Sequence, residues 1–117
     1  MYARLDVALF DATELRIHYA KHHAEFAVAT DREYEMLADR FLSGPAHPNL
    51  RQCTRRKGDF VRYDIVTQEY GVLSASGVIR SYFKPKPCAS IPMGLPKANC
   101  HRFPDNLRYF KYTCSQW

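Results

Sequence analysis

No stretch of the sequence approaches the roughly 18 consecutive apolar residues that a membrane span requires, and Met1 to Phe10 carries Arg4 and Asp6 where a secretory leader would have an apolar core. These absences predict a soluble, unprocessed chain with no membrane partner, although a toxin or effector delivered by another machine would read the same way. Internal repeats and a collagen-like or disordered composition are absent as well. There is no Cys-x-x-Cys pair and no His-Glu-x-x-His helix, which removes two spacings that announce a zinc site. Acidic residues are outnumbered, 12 against 17 Lys and Arg, and the net charge is +5. That excess favours an anionic partner, nucleic acid or an acidic protein, and does not choose between them.

What is present suffices for one domain, residues 1–117. A single core at this length buries about two-thirds of the surface of the unfolded chain, so stability requires neither metal nor disulfide. The four cysteines, Cys53, Cys88, Cys100 and Cys114, are widely spaced. Cys88, Cys100, His101 and Cys114 could be combined into a zinc set, but adjacent Cys100 and His101 match no structural zinc spacing. Free or buried thiols are the expectation, with a disulfide inside the Pro-rich tail as the alternative, and no metal is assigned.

Local patterns predict two helices followed by a meander. Asp11 with Glu14 has the spacing of a capping box, and Leu15, Ile17 or His18, and His22 then recur at near-helical intervals, giving a helix over residues 12–23. Thr30 with Glu33 caps a second helix, whose Tyr34, Leu37, Ala38, Phe41 and Leu42 form one apolar stripe. Ser43-Gly44-Pro45 ends it, because proline cannot continue a helix. From Leu50 the period falls to two, predicting strands over 51–56, 60–65, 69–74 and 78–84. Prolines 85, 87, 92, 96 and 104 then make an irregular stretch, before 107–113 offers a strand or a short helix. The fold class is α+β, two N-terminal helices packed on one face of a four- to five-stranded antiparallel sheet.

Two patterns carry chemistry. On the last strand, VIRSYFK, alternation sends Val78, Arg80, Tyr82 and Lys84 to one face and Ile79, Ser81 and Phe83 to the other. One face is then cationic and aromatic, and Arg62 on a neighbouring row with Arg55 and Arg56 extends it. Forked guanidinium donors suit phosphate, while a merely solvated sheet face gives the same alternation. The second pattern is His18, His22 and His23. His18 and His22 are four apart and share a helix face, where imidazole suits proton transfer near neutral pH; histidines at a helix end are also ordinary surface groups beside the negative end of the dipole.

These segments also resemble a known group. LRIHYAKHHAEF is similar to an L-x-x-H-F-x-K-H-G-x-x-F helix, DREYEMLADRFL to the helix that follows it, and VRYDIVTQEYGVLSASGVIRSYFKP to the hairpin of bacterial polymorphic and contact-dependent-inhibition toxin domains. PDNLRYF is similar to their closing segment. That family is grouped with the barnase/EndoU/colicin/RelE-like ribonucleases. The resemblance spans residues 15–110 and implies a barnase-like fold, RNA cleavage without metal or cofactor, and neutralisation by an immunity protein or antitoxin. The motif histidines fall on His18 and His22 and the basic strand positions on Arg80 and Lys84. His23 stands where the motif has glycine, Ser81 where it has threonine, and the Pro- and Cys-containing stretch 85–100 aligns with nothing.

The expected activity is an endoribonuclease toxin working by transesterification to a 2′,3′-cyclic phosphate, which requires a base, an acid and cations for the phosphorane. His22 is assigned as base or acid, His18 as its partner or orienter, and Arg80 and Lys84 as phosphate clamps. Tyr82 stacks on a base or donates a proton, and Arg62, Arg55 and Ser81 bind substrate, Ser81 only if a bulge turns it toward Arg80's side. RNA, with tRNA a candidate, is the substrate, and the bacterial cytoplasm of the producing or target cell is the site of action, reached as a secreted effector in the second case. The alternative is a non-catalytic nucleic-acid-binding or regulatory module on the same basic sheet, and a weaker third reading is a protein-binding adaptor using the Tyr-rich tail.

Overall fold

The structure, a computed structural model, describes residues 7–116. Arg4 and Asp6, which enter the reading of the chain's start, lie outside them. A short strand β1 (Leu9–Phe10) leads into helix α1 (Ala12–His22) and a 3-10 turn at His23–Glu25; helix α2 (Asp31–Ser43) follows. Strands β2 (Leu50–Thr54), β3 (Phe60–Asp64), β4 (Tyr70–Leu73) and β5 (Val78–Phe83) come next, and helix α3 (Asn106–Cys114) closes the chain. The α+β class is as expected, and none of the described helices is long and apolar enough to cross a membrane.

Thr30 caps α2 as its spacing implies, while Asp11 forms only half of the capping box its spacing with Glu14 predicts. The Asp11 carboxylate accepts from the Thr13 and Glu14 amides, and Thr30 and Glu33 complete a reciprocal capping box at α2. On α1 the choice between Ile17 and His18 falls to His18, because Ile17 is 47% exposed while Leu15 and Tyr19 pack on the core.

The sheet departs from the expected antiparallel meander at one edge. Its order is β1-β5-β4-β3-β2, with β1 parallel to β5 and the other pairs antiparallel. Two residues carry no readable period, so β1 is defined by the open side of β5 and not by its own sequence. Its amides are capped by α2: Ala8 N–H donates to Asp39 at 2.9 Å and Phe10 N–H to Glu35 at 3.0 Å. The edge therefore offers fewer donors to a foreign strand.

The helices do not all share one face. Tyr34, Ala38 and Leu42 of α2 pack with Phe10 on Ile79 and Tyr82 of β5, whereas α3 covers the opposite face, setting Phe110 against Val61, Tyr63, Tyr70 and Val72. Gly71 lets α2 approach closely, since a Cβ there would lie 2.9 Å from a Leu42 methyl. Each large side chain fully removed from water in these clusters stabilises the fold by about 1.5–3 kcal/mol.

The expectation of free thiols is overturned. Cys53 on β2 bonds to Cys114 at the end of α3, and Cys88 bonds to Cys100 within the Pro-rich stretch, so no cysteine is free among the described residues. The first pair lies 61 residues apart in sequence and becomes adjacent only because α3 docks on the second sheet face. By loop-closure entropy the longer link stabilises the fold by about 4 kcal/mol and the shorter by about 3 kcal/mol. Replacing Cys53 and Cys114 together by Ser should lower the free energy of unfolding by about that larger amount in denaturant titrations. The Cys88→Ser/Cys100→Ser pair should lose less. Equal losses would show that loop length does not govern them.

Candidate functional site

A cavity of about 270 Å³ opens where α1, the end of β5, the Pro-rich stretch and α3 meet. His18 and His22 contribute one wall, as their four-residue spacing on α1 requires, with Lys21 beside them. Phe83, Lys86, His101 and Tyr109 form the others. Three cation-capable groups of α1 thus face a wall built by chain some 60 residues or more downstream in sequence, a juxtaposition invisible in any local pattern.

His22 is the most constrained of these residues. It is buried, its ring stacks on Phe83 at 5.1 Å, and its Nδ1 lies 2.6 Å from Glu25 Oε2. Glu25 is held in turn by the Lys84 backbone N–H, which donates to Oε1 at 2.7 Å. A carboxylate fixed in this way places the ring proton on Nδ1 and leaves Nε2 as the basic nitrogen of a residue that lines the cavity. The 3-10 turn after α1 makes this possible by bringing residue 25 back beneath residue 22. A His-x-x-Glu spacing at a helix end was the available signal.

His18 lies next to it, ring centroids 6.1 Å apart, and rests on Phe10 at 5.4 Å. Its Nδ1 is buried without a hydrogen-bond partner, and Nε2 is 3.7 Å from Glu14 Oε1. Burial lowers its pKa from the ordinary 6.5, and the neighbouring His22 charge lowers it further against a weaker opposing pull from Glu14.

His101, which the sequence offered only as a possible zinc ligand, is fixed on both nitrogens. Nδ1 accepts from the Phe103 N–H at 3.2 Å, so Nε2 donates to Asn106 Oδ1 at 2.7 Å, and the ring stacks on Tyr109 at 4.5 Å. Burial pushes the Tyr109 phenol up to about 12. The pair forms a flat aromatic wall of the cavity. Among the described residues no group of three or more His, Cys, Asp or Glu is arranged to hold a metal ion.

The remaining candidate residues are dispersed. Tyr82 is 0% exposed in the α2-side core, its phenol donates to the Glu69 carboxylate, and burial raises its pKa far above the usual tyrosine value. Lys84 acts through its backbone, while its ammonium sits 5.5 Å from the Phe26 ring centre; Lys86, two residues on, lines the cavity in its place. Arg62 is buried and binds the Phe41 and Gly44 carbonyls at 2.9 and 2.7 Å, closing the C-terminal end of α2. Arg55 is buried and donates to Thr113 O at 3.3 Å and to Asp59 at 3.4 Å, joining the β2–β3 turn to α3. Arg80 and Ser81 line a second depression with Arg55, Lys57 and Asp59.

The strand's alternation fails for a local reason. Val72 pairs with Ser81 but Leu73 pairs with Ile79, so Arg80 is an extra residue in a β-bulge. Ile79 and Tyr82 then both face α1 and α2, and Arg80 and Ser81 line one depression, the condition on which a joint role for them depended.

No family model matches the chain, and no curated protein matches it in sequence.

A titration follows from His18. Above about pH 6.5 it is neutral both folded and unfolded; below that the unfolded chain takes up the proton first, so stability falls as pH drops toward the lowered folded value. His18→Gln should therefore lose less thermal stability than the wild type between about pH 7.5 and about pH 5. Parallel Tm curves would contradict the assignment.

Proposed function

We propose that this protein is a metal-independent endoribonuclease of the toxin type, cleaving RNA by transesterification to a 2′,3′-cyclic phosphate and a 5′-hydroxyl. The observation that carries the reading is the Glu25–His22 pair, with its 2.6 Å bond at Nδ1, on a histidine that lines a cavity together with Lys21 and Lys86. His22 Nε2 takes the proton of the attacking 2′-hydroxyl, and Glu25 steadies the imidazolium that results. The two lysine ammoniums, in place of Arg80 and Lys84, balance the charge of the phosphorane, and one of them returns a proton to the departing 5′-oxygen. His18 stays neutral beside His22, and the His101–Tyr109 wall offers a surface for a base to stack on. None of these steps calls on a cofactor.

The resemblance to barnase/EndoU/colicin/RelE-like toxin domains supports the same reading and brings with it an immunity protein or antitoxin as partner and RNA, tRNA among the candidates, as substrate. Two disulfides favour passage through an oxidising compartment, which fits a secreted effector that acts in the cytoplasm of a target bacterium. One observation favours a second reading, a nucleic-acid-binding module without catalysis: Arg80 opens on a different depression from His18 and His22. Cleavage itself separates the two.

His22→Ala should lower the rate of RNA cleavage by about a hundredfold or more, and Glu25→Gln by at least about tenfold, with RNA affinity little changed. His23→Ala should be nearly silent, since its Nδ1 faces the Tyr19 carbonyl of its own helix. Activity should persist in excess chelator, and products should end in cyclic phosphate. Equal activity of the His22 and His23 variants would remove the histidine from the mechanism.

A further inference from the structure

We propose that the depression lined by Lys57, Arg80 and Ser81 is a second phosphate site, which holds a neighbouring phosphate of the same RNA strand whose scissile bond lies in the His22 cavity. The proposal rests on the ribonuclease reading for the identity of the first site, while the second stands on its own geometry.

Charge and donor chemistry come first. The depression, about 380 Å³ in volume, gathers Arg55, Lys57 and Arg80 around one carboxylate, Asp59. Asp59 engages Arg80 through Nε alone, at 3.2 Å, and the Arg80 side chain is 59% exposed. Its two Nη groups bond to no other described residue and form the forked end that grips a phosphate's oxygens. The Ser81 hydroxyl likewise bonds to no other described residue and lines the same depression. The bulge at Arg80 is what sets these consecutive residues side by side, where a regular strand would send them to opposite faces.

Position links the two sites. Ser81 lines this depression and Phe83 lines the His22 cavity, and the two belong to the same face of β5. At a rise of about 3.3 Å per residue they stand about 7 Å apart along the strand, so the two sites are neighbours along β5. The depression has no aromatic side chain for a base to stack on, only Val72. It therefore grips the backbone and tolerates any sequence. An acidic protein would also be attracted, but a stable protein interface is centred on apolar or aromatic anchors, and Val72 alone does not supply one.

The test measures binding, independent of catalysis. Fluorescence anisotropy would compare a 2′-O-methyl hexanucleotide with a 2′-O-methyl dinucleotide, neither of which can be cleaved, on the wild type, Arg80→Gln, Lys57→Gln and, as a distant cation, Arg108→Gln. The expected result is that Arg80→Gln and Lys57→Gln each weaken the hexanucleotide about three- to tenfold and reduce its salt slope by about 1, while the dinucleotide and the Arg108 variant are unaffected. Unchanged hexanucleotide affinity and slope in both variants would overturn the proposal, as would an equal loss for the dinucleotide. Loss of polyglutamate binding with RNA binding intact would overturn it in favour of a protein site. If the hexanucleotide depends on Arg80 but His22→Ala cleaves like the wild type, the second phosphate site stands and the ribonuclease reading falls. Cleavage that requires His22 and ignores Arg80 gives the reverse, and a wild type that binds neither oligonucleotide removes both.

Discussion

The Glu25 carboxylate ties the end of α1 to the end of β5 and, by doing so, decides what the cavity can do. One oxygen accepts the Lys84 amide and the other faces His22 Nδ1, so a single side chain joins helix, strand and imidazole. Exposed ion pairs usually contribute little to stability. Here His22 is buried and stacked on Phe83, and loss of the carboxylate would leave a buried ring nitrogen unpaired as well as an unsatisfied strand end. The 3-10 turn after α1 is what brings the carboxylate to both partners.

The opposite wall depends on a different set of constraints. The disulfide Cys88–Cys100 closes the Pro-rich stretch, and two backbone bonds, Cys88 N to His101 O at 2.7 Å and His101 N to Lys86 O at 3.0 Å, align its two ends. Asn106 at the start of α3 then satisfies three neighbours, accepting from His101 and donating to Gln68 and to Pro85 O, each at 2.7 Å. The β3–β4 turn, the Pro-rich stretch and α3 meet at that amide. A long irregular segment is held still by buried polar bonds where regular ladder bonds are missing, which is how a loop without a hydrophobic face can present Lys86 and His101 at fixed positions.

The net positive charge is divided by burial into working and structural parts. Arg55 and Arg62 bond backbone carbonyls at helix ends together with the Asp59 and Gln52 side chains and belong to the scaffold. Lys21, Lys86, Lys57 and Arg80 line depressions and remain available to an anion. Composition counts all of these alike, because charge is additive in sequence and only desolvation and geometry separate a cation that holds the fold from one that meets a ligand.

Much of what is settled within about one helical turn or one hairpin was legible in the sequence, though not the His22–Glu25 pair, because the turn that forms it carries no cap or periodic signal. The Asp11 and Thr30 caps, the stripe of α2, the four strands from Leu50 onward and the shared face of His18 and His22 all follow from spacing alone, because the interacting groups are neighbours along the chain. Features that join distant segments were not legible: the parallel strand β1, the docking of α3 on the second face, the Cys53–Cys114 bond and the meeting of His22 with Lys86 and His101. The bulge at Arg80 stands between the two kinds. A single inserted residue leaves the alternating pattern readable yet reverses which side chains face the core, so Tyr82 became core and Ser81 joined Arg80. Register is a property of the paired strands together, and for that reason the tertiary structure alone decided it.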